Sequence, residues 1–299
     1  MKILLLGANG QVGFELKRSL APLGDVVAAT RNGEGGTLVA DVGEATSLRS
    51  ALEQSHADVI VNAAAYTAVD RGEDEPEVAQ RINADALGEI GAWAKSRGVL
   101  VVHYSTDYVF DGNGMRPYRE EDATSPLGVY GRSKLAGENA LHVSECDHVI
   151  LRTAWVYASR GKNFLLTMLK VGVERDRLRV VDDQRGTPTS AQLIADVTAK
   201  VVAKVHRDRA NVGTYHLCAA GECTWFAFAQ AIFTRAHEAG LIARAPLVEA
   251  IGTADYPTRA ARPRYSVLDT SKLRAAFGVD LPPWQQGLDN VIAELAQSK

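Results

Sequence analysis

Cysteine is scarce. The chain has three, Cys146, Cys218 and Cys223. The number is odd and no C-x-x-C pair occurs, so a disulfide framework is excluded and free thiols in a reducing, cytoplasmic setting are expected. The seven histidines do not gather at metal-ligand spacing, so no catalytic metal is expected. No apolar run reaches membrane-spanning length, and Met1-Lys2 leads straight into a strand-like segment rather than a leader peptide. Neither sign of charge dominates: 33 Lys and Arg stand against 36 Asp and Glu, a net −3. Nucleic acid and anionic membrane surfaces are therefore not expected partners. Repeats and low-complexity tracts are absent as well. What remains is an ordinary globular composition, 46% hydrophobic and 23% charged, in 299 residues. That length suffices for one large domain, or a domain with a smaller lobe.

The chain is organised around Met1–Lys17. Ile3 to Leu6 form a short unbroken apolar run, the pattern of a parallel strand buried on both faces. Gly7-x-x-Gly10-x-x-Gly13 follows, and a helix opens inside it with Val12, Leu16 and Leu20 at helical spacing. Strand, glycine turn and helix in that order let backbone N–H groups and the positive helix end meet a pyrophosphate, so a dinucleotide site is expected here. A second strand, Val26 to Ala29, ends at Thr30-Arg31. An acidic residue at that position suits a free ribose 2′-hydroxyl; Arg31 suits a 2′-phosphate, hence NADP. A third strand, Thr37 to Ala40, closes in Asp41-Val42, where Asp41 either meets the adenine or caps the helix starting near Glu44.

Asp58 to Asn62 reads as a buried fourth strand running into Ala63, Ala64, Ala65 and Tyr66, small residues that permit close approach of a flat ligand. A helix is expected from Pro76 to Ser96 with Ile82, Ala86, Ile90 and Trp93 as its apolar stripe. Val99 to His103 is the fifth strand, and it delivers Ser105, Thr106, Asp107 and Tyr108 to the strand end, where open α/β sheets bind ligands. After a polar loop, Asp111 to Pro126, a helix from Val129 carries Tyr130 and Lys134 at i and i+4, side by side. An ammonium beside a phenol favours the phenolate, so Lys134 is expected to lower the pKa of Tyr130 and make it a proton donor near neutral pH. Further on, Leu151 to Tyr157 reads as a sixth strand with Trp155 placed to stack on a ring. Residues 163–173, 191–206 and 224–237 read as helices, and 178–181 and 213–217 as short strands. Arg262-Pro263-Arg264-Tyr265-Ser266 suits a nucleotide diphosphate, since arginine binds phosphate oxygens bidentately.

Taken together, GANGQVG at 7–13, VNAAAYTAVD at 61–70, STDYVFDG at 105–112, YGRSKLAGE at 130–138, LRTAWVY at 151–157, DQRGTPT at 183–189 and RPRYSVLDTSKL at 262–273 span nearly the whole chain. In that order they resemble the extended short-chain dehydrogenase/reductase superfamily and, within it, the dTDP-4-dehydrorhamnose reductase family. The resemblance implies a Rossmann-type doubly wound parallel sheet with a smaller C-terminal substrate-binding lobe. Residues 1–150 would form the NADP-binding domain and 151–299 mostly the lobe, with 151–175 and 190–215 partly returning to the sheet. It implies NADPH-dependent reduction of the C4 keto group of dTDP-4-dehydro-L-rhamnose to dTDP-L-rhamnose, with NADH as the other possible carrier. Thr106, Tyr130 and Lys134 would be catalytic. Gly7, Asn9, Gly10, Gln11, Val12, Arg31, Asp41, Val42, Ala63, Ala64, Ala65, Tyr66, Tyr130 and Lys134 would meet the cofactor. Val69, Asp70, Thr106, Asp107, Tyr108, Trp155 and Arg262 would meet the sugar nucleotide.

One departure bears on assembly. Some members form homodimers bridged by Mg2+ through three glutamates; Glu15 and Glu294 match two of them, but Gln192 stands at the third and carries no charge. That speaks against a magnesium-bridged dimer. Two other functions stay open on sequence: reduction of a different dTDP-4-keto-deoxysugar, and a non-catalytic NADP-binding regulatory subunit. An intact Thr106, Tyr130 and Lys134 argues against the second, because a binding module needs no proton donor.

Overall fold

The computed structural model describes residues 1–298. β1 (Lys2–Leu6) passes through the glycine turn into α1 (Gln11–Leu20), followed by β2 (Asp25–Thr30), β3 (Leu38–Val39), α2 (Ala45–Ser55) and β4 (Val59–Asn62). Then come α3 (Val69–Gly72), α4 (Pro76–Gln80), a π-helical turn at Arg81–Asp85, α5 (Ala86–Arg97), β5 (Leu100–Thr106), α6 (Val129–Ser144) and β6 (His148–Thr153). The second half holds β7 (Val156–Tyr157), α7 (Phe164–Glu174), β8 (Arg177–Val181), β9 (Arg185–Gly186), β10 (Thr189–Ser190) and α8 (Ala191–Arg207). It ends with β11 (Gly213–His216), β12 (Cys223–Thr224), α9 (Trp225–Glu238), β13 (Leu247–Ile251), α10 (Ser271–Phe277) and α11 (Trp284–Gln297).

Seven strands form one sheet in the order β11-β6-β5-β4-β1-β2-β3, all parallel. Alternation along β1 explains its unbroken apolar run. Ile3 and Leu5 enter the core beneath α1 and α8, while Leu4 and Leu6 enter the core beneath α2, α5 and α6. All four are fully buried, each worth roughly 1.5–3 kcal/mol against exposure. A third core, built on Tyr157, Leu165, Phe228, Phe233, Trp284 and Leu288, holds the lobe of α7, α9, α11 and the parallel pair β8–β13. Of residues 151–175, only the end of β6 lies in the main sheet, and α7 packs in the third core. α8 and β11 belong to the main sheet layer.

Two expected elements are divided. The sixth strand does not run from Leu151 to Tyr157: β6 ends at Thr153, and Trp155 adopts a left-handed backbone (φ 48°) that turns the chain away. β7 then pairs with β10 instead of the main sheet. The helix expected over 76–96 is interrupted by the π turn at Arg81–Asp85, whose extra residue serves the site described next.

Candidate active site

Parallel strands bring the ends of β1, β2, β3, β4, β5 and β6 to one edge of the sheet, and the sequence-expected residues follow those ends. At β1 the glycine turn is dictated by contact. Gly7 has φ 75°, and a β-carbon on it would lie 2.7 Å from the Ala64 nitrogen. A β-carbon on Gly13 would lie 2.1 Å from the Gly7 carbonyl oxygen. The turn and helix therefore press directly on each other and on the segment after β4. The N-terminus of α1, capped by the Gly10 backbone, has no acidic residue in its first turn and no side-chain cap. Its N–H groups are open to an anion.

Around this cradle, Asn9 donates to Glu34 (Nδ2 to Oε2, 3.0 Å), and Gln11 accepts from Asn163 (2.8 Å), tying α1 to the segment before α7. Val12 packs against the first core and Val42 is buried in the second. Arg31 lies exposed at the end of β2, its Nε 3.7 Å from an Asp41 carboxylate oxygen. Asp41 accepts from the Gly43 N–H at 2.9 Å, so its side chain closes the turn ahead of α2 while the N-cap position falls on Glu44.

After β4, Ala63 and Ala64 are half-buried and Ala65 is exposed. The strand-like exit is held by a residue the sequence reading missed. Asn83, in the π turn, accepts from Tyr66 N (2.9 Å), donates to Tyr66 O (3.0 Å) and donates to Ser133 Oγ of α6 (3.0 Å). Gly137 permits that approach, since a β-carbon there would lie 2.0 Å from the Asn83 carbonyl oxygen. Tyr66 itself donates its hydroxyl to Glu75 (2.9 Å).

At the end of β5, Thr106 donates to Asp107 Oδ1 (3.0 Å) and accepts from Tyr108 N (3.2 Å). Asp107 is 2% exposed, and burial pushes its carboxyl up to about 6, with the hydroxyls of Ser266 and Thr106 opposing. Tyr130 meets the edge of Tyr108, ring centroids 5.6 Å apart at 74°. Burial pushes the Tyr130 phenol up to about 12, with the Thr106 hydroxyl opposing.

Lys134 departs from expectation. It is expected to lower the pKa of Tyr130, which burial instead raises; its nitrogen lies 2.6 Å from the Tyr104 carbonyl oxygen and 3.0 Å from His103 Nε2, and burial brings its own pKa down to about 7. Beyond it Glu138 and Arg152 form a buried ion pair (2.6 Å), side chains 1% and 6% exposed. His103 escaped the sequence reading because a histidine inside an apolar strand gives no signal until the register is known.

On the lobe side, Trp155 stacks on Trp225 (3.5 Å between centroids, 6° between planes), and Gly186 makes room for it. Arg262 donates to Asp70 Oδ2 at 2.7 Å, and Ala260 N donates to Oδ1 at 3.1 Å, so the segment after β13 is fastened to α3, which begins at Val69. Arg262 is thus committed to Asp70, whereas Arg264 lines a separate groove of about 390 Å3 with Arg185, Asp183 and Tyr265. Glu15 feels Glu294: burial first, and then that neighbouring charge, raise its pKa. Among the described residues no three His, Cys, Asp or Glu side chains gather as a metal site. The three cysteines are free and buried.

The chain matches the family model described as RmlD substrate binding domain over residues 1–297. It is 45% identical to the dTDP-4-dehydrorhamnose reductase of Salmonella typhimurium, covering 99% of this chain and 98% of that one. Two solved structures share its architecture throughout. A dTDP-4-dehydrorhamnose reductase from Clostridium acetobutylicum superposes with a TM-score of 0.88 at 36% identity, covering 99% of each chain. One from Bacillus anthracis, solved in complex with NADP, does so with 0.87 at 32% identity, covering 98% of this chain and all of that one. Identity of this order along the full length, on one topology, places the chain in the dTDP-4-dehydrorhamnose reductase family.

Proposed function

We propose that the protein reduces the C4 keto group of dTDP-4-dehydro-L-rhamnose to give dTDP-L-rhamnose, using NADPH. The observation that carries the reading is the placement of Tyr130: a half-buried tyrosine beside the Thr106 hydroxyl at the end of β5, one helical turn from Lys134, on the edge that holds the glycine cradle.

The residues present fit the dinucleotide. Without β-carbons, Gly7 and Gly13 let the turn, α1 and the segment after β4 close on one another backbone to backbone, which sets the α1 N-terminus, free of any side-chain cap, at the same turn. Gly10, Gln11 and Val12 would take the pyrophosphate side, Arg31 the 2′-phosphate, Asp41 and Val42 the adenine side, and Ala63, Ala64, Ala65 and Tyr66 the flank after β4. A bound reduced nicotinamide supplies the hydride.

Tyr130 supplies the proton. A phenol held near 12 stays protonated until negative charge develops on the adjacent keto oxygen, at which point transfer becomes favourable. Thr106 makes the second contact to that oxygen. Its hydroxyl hydrogen rests on Asp107, and rotation about one bond turns it to the substrate. Lys134 offers its amine to the ribose beside the nicotinamide. Tyr108, Trp155 and the Asp70–Arg262 pair would line the sugar nucleotide. The buried, free thiols suit a reducing compartment, and we place the protein in the cytoplasm. Among the described residues no helix is long and apolar enough to cross a membrane.

The test is NADPH oxidation at 340 nm with the keto sugar generated in situ from dTDP-glucose by a 4,6-dehydratase and a 3,5-epimerase, with the product identified by NMR. Oxidation with dTDP-L-rhamnose formed only when the epimerase is present supports the reading. Oxidation without the epimerase favours another 4-keto sugar. Tight NADPH binding with no NADPH oxidation in the presence of either keto sugar overturns the reading in favour of a binding module.

A further inference from the structure

The cofactor turn and the lobe are joined by a short irregular segment. Trp155 leaves β6 with its left-handed backbone, and Tyr157 of β7 enters the third core. Residues 158–163 then run back across α1 before α7 begins. Each residue from Ser159 to Lys162 is tied to a neighbouring helix. Ser159 Oγ donates to Glu294 Oε1 of α11 at 2.7 Å. The Arg160 guanidinium lies over the Phe14 ring of α1, 3.1 Å from its centre. Gly161 has φ 75° and abuts Gln11, so that a β-carbon on it would stand 3.0 Å from Gln11 Cγ. The Lys162 carbonyl accepts from Gln11 Nε2 at 3.5 Å.

Asn163 gathers these contacts. The Leu166 main-chain N–H can only donate, and it donates to Asn163 Oδ1 at 2.9 Å, which caps α7. That fixes the amide: its nitrogen faces Gln11 Oε1 at 2.8 Å, Ala158 O at 2.9 Å and Arg160 O at 3.1 Å. An amide nitrogen carries two hydrogens, so these three oxygens share them, and the shape of the segment and the place of Gln11 are set by one group. The cap alone needs no asparagine, because serine or aspartate supplies the same oxygen. The nitrogen serves a different purpose. Gln11 is the first residue of α1, at the helix end whose N–H groups are open to an anion, and Asn163 holds its side chain to the segment that begins at Trp155.

We propose that Asn163 is a positioning residue for the reduction: its amide nitrogen ties the cofactor turn to the segment carrying Trp155, so that dinucleotide and sugar nucleotide each strengthen the binding of the other. The inference rests on the reductase reading for the identity of the two ligands. A ligand that fixes one end of a shared segment lowers the entropy the second must still remove, and the coupling is reciprocal.

Calorimetric titration of the full chain with NADP+ and with dTDP, each alone and each in the presence of the other, measures the coupling directly. In the wild type each ligand should tighten the other by about fivefold or more. Asn163→Ser keeps a capping oxygen for α7 and is too short to reach Gln11; the factor should fall to within about twofold. Gln11→Met removes the acceptor from the other side and leaves the α7 cap untouched, so it should bring the same fall even if Asn163→Ser does not fold. The double variant should lose no more coupling than either single change. Coupling retained in either single variant, whatever the loss of melting temperature, means that Asn163 only caps α7 and overturns the proposal. A wild type that binds both ligands without coupling overturns it as well and leaves the reductase reading standing. A wild type that fails to bind NADP+ or dTDP refutes that reading and the proposal with it.

Discussion

Gly13 of α1 lies directly under Gly7, so close that a β-carbon on Gly13 would sit 2.1 Å from the Gly7 carbonyl oxygen. The contact is backbone against backbone, and no side chain can yield. Gly13→Ala must therefore push α1 away from the turn, which should cost about 1–3 kcal/mol of stability through overpacking. It should also weaken NADPH binding by more than tenfold, since the N–H groups are then displaced. Nucleotide fluorescence titration and thermal melting check both; retained affinity would show that the cradle is not the dinucleotide site.

Tyr130→Phe removes the phenol hydroxyl and little volume. Turnover should fall by about 10²–10⁴, the range for losing a general acid, while NADPH affinity stays within about threefold. Steady-state kinetics and direct binding, measured on one preparation, decide the matter, and a matched loss of binding would remove Tyr130 from the proton-donor role.

Asp107 is buried with its carboxyl raised to about 6 from an unfolded value of 3.8. A group whose pKa rises on folding favours the folded state most where it is protonated, so this contribution is full below about pH 4 and is lost as pH rises towards 6. Asp107→Asn carries no charge to bury. Its melting temperature should exceed that of the wild type at pH 7.5, and the gap should close as pH falls to 4. A gap independent of pH would place the effect elsewhere.

Glu138 and Arg152 pair between α6 and β6 with almost no exposure. Glu138→Ala leaves the guanidinium buried and uncompensated and should destabilise by about 3–5 kcal/mol in urea unfolding. The double variant Glu138→Leu with Arg152→Met removes both charges and should recover much of that loss. If it recovers none, an uncompensated buried charge is not what destabilises the single variant.

Arg31 is exposed at the end of β2 and free to meet a phosphate, with only a loose contact to Asp41. Arg31→Ala should raise KM for NADPH by roughly tenfold, the scale of one charge-assisted phosphate contact, and leave KM for NADH nearly unchanged. An unchanged preference would assign the 2′-phosphate to another group.

Much was legible in the chain because it is local. The apolar run Ile3–Leu6, the glycine spacing after it and the alternation of strand and helix specify a parallel sheet with its ligand edge at the strand ends, since periodicity and turn chemistry act over a few residues. Tyr130 and Lys134 were visible for the same reason, being neighbours on one helical turn. Their electrostatics were not. Whether Lys134 lowers the pKa of Tyr130 or lies against His103 depends on β5 lying beside α6, residues 31 apart in sequence. The left-handed Trp155 that ends β6, the π turn that sends Asn83 to both Tyr66 and Ser133, and the bond between Arg262 and Asp70, 192 residues apart, were equally out of reach. The sequence by itself determined which segments become strands and helices and where the glycines must fall, because those depend on backbone sterics and on the period of apolar side chains. Only the tertiary structure decided which buried polar groups share a proton, because desolvation and hydrogen-bond direction arise once distant strands are laid side by side.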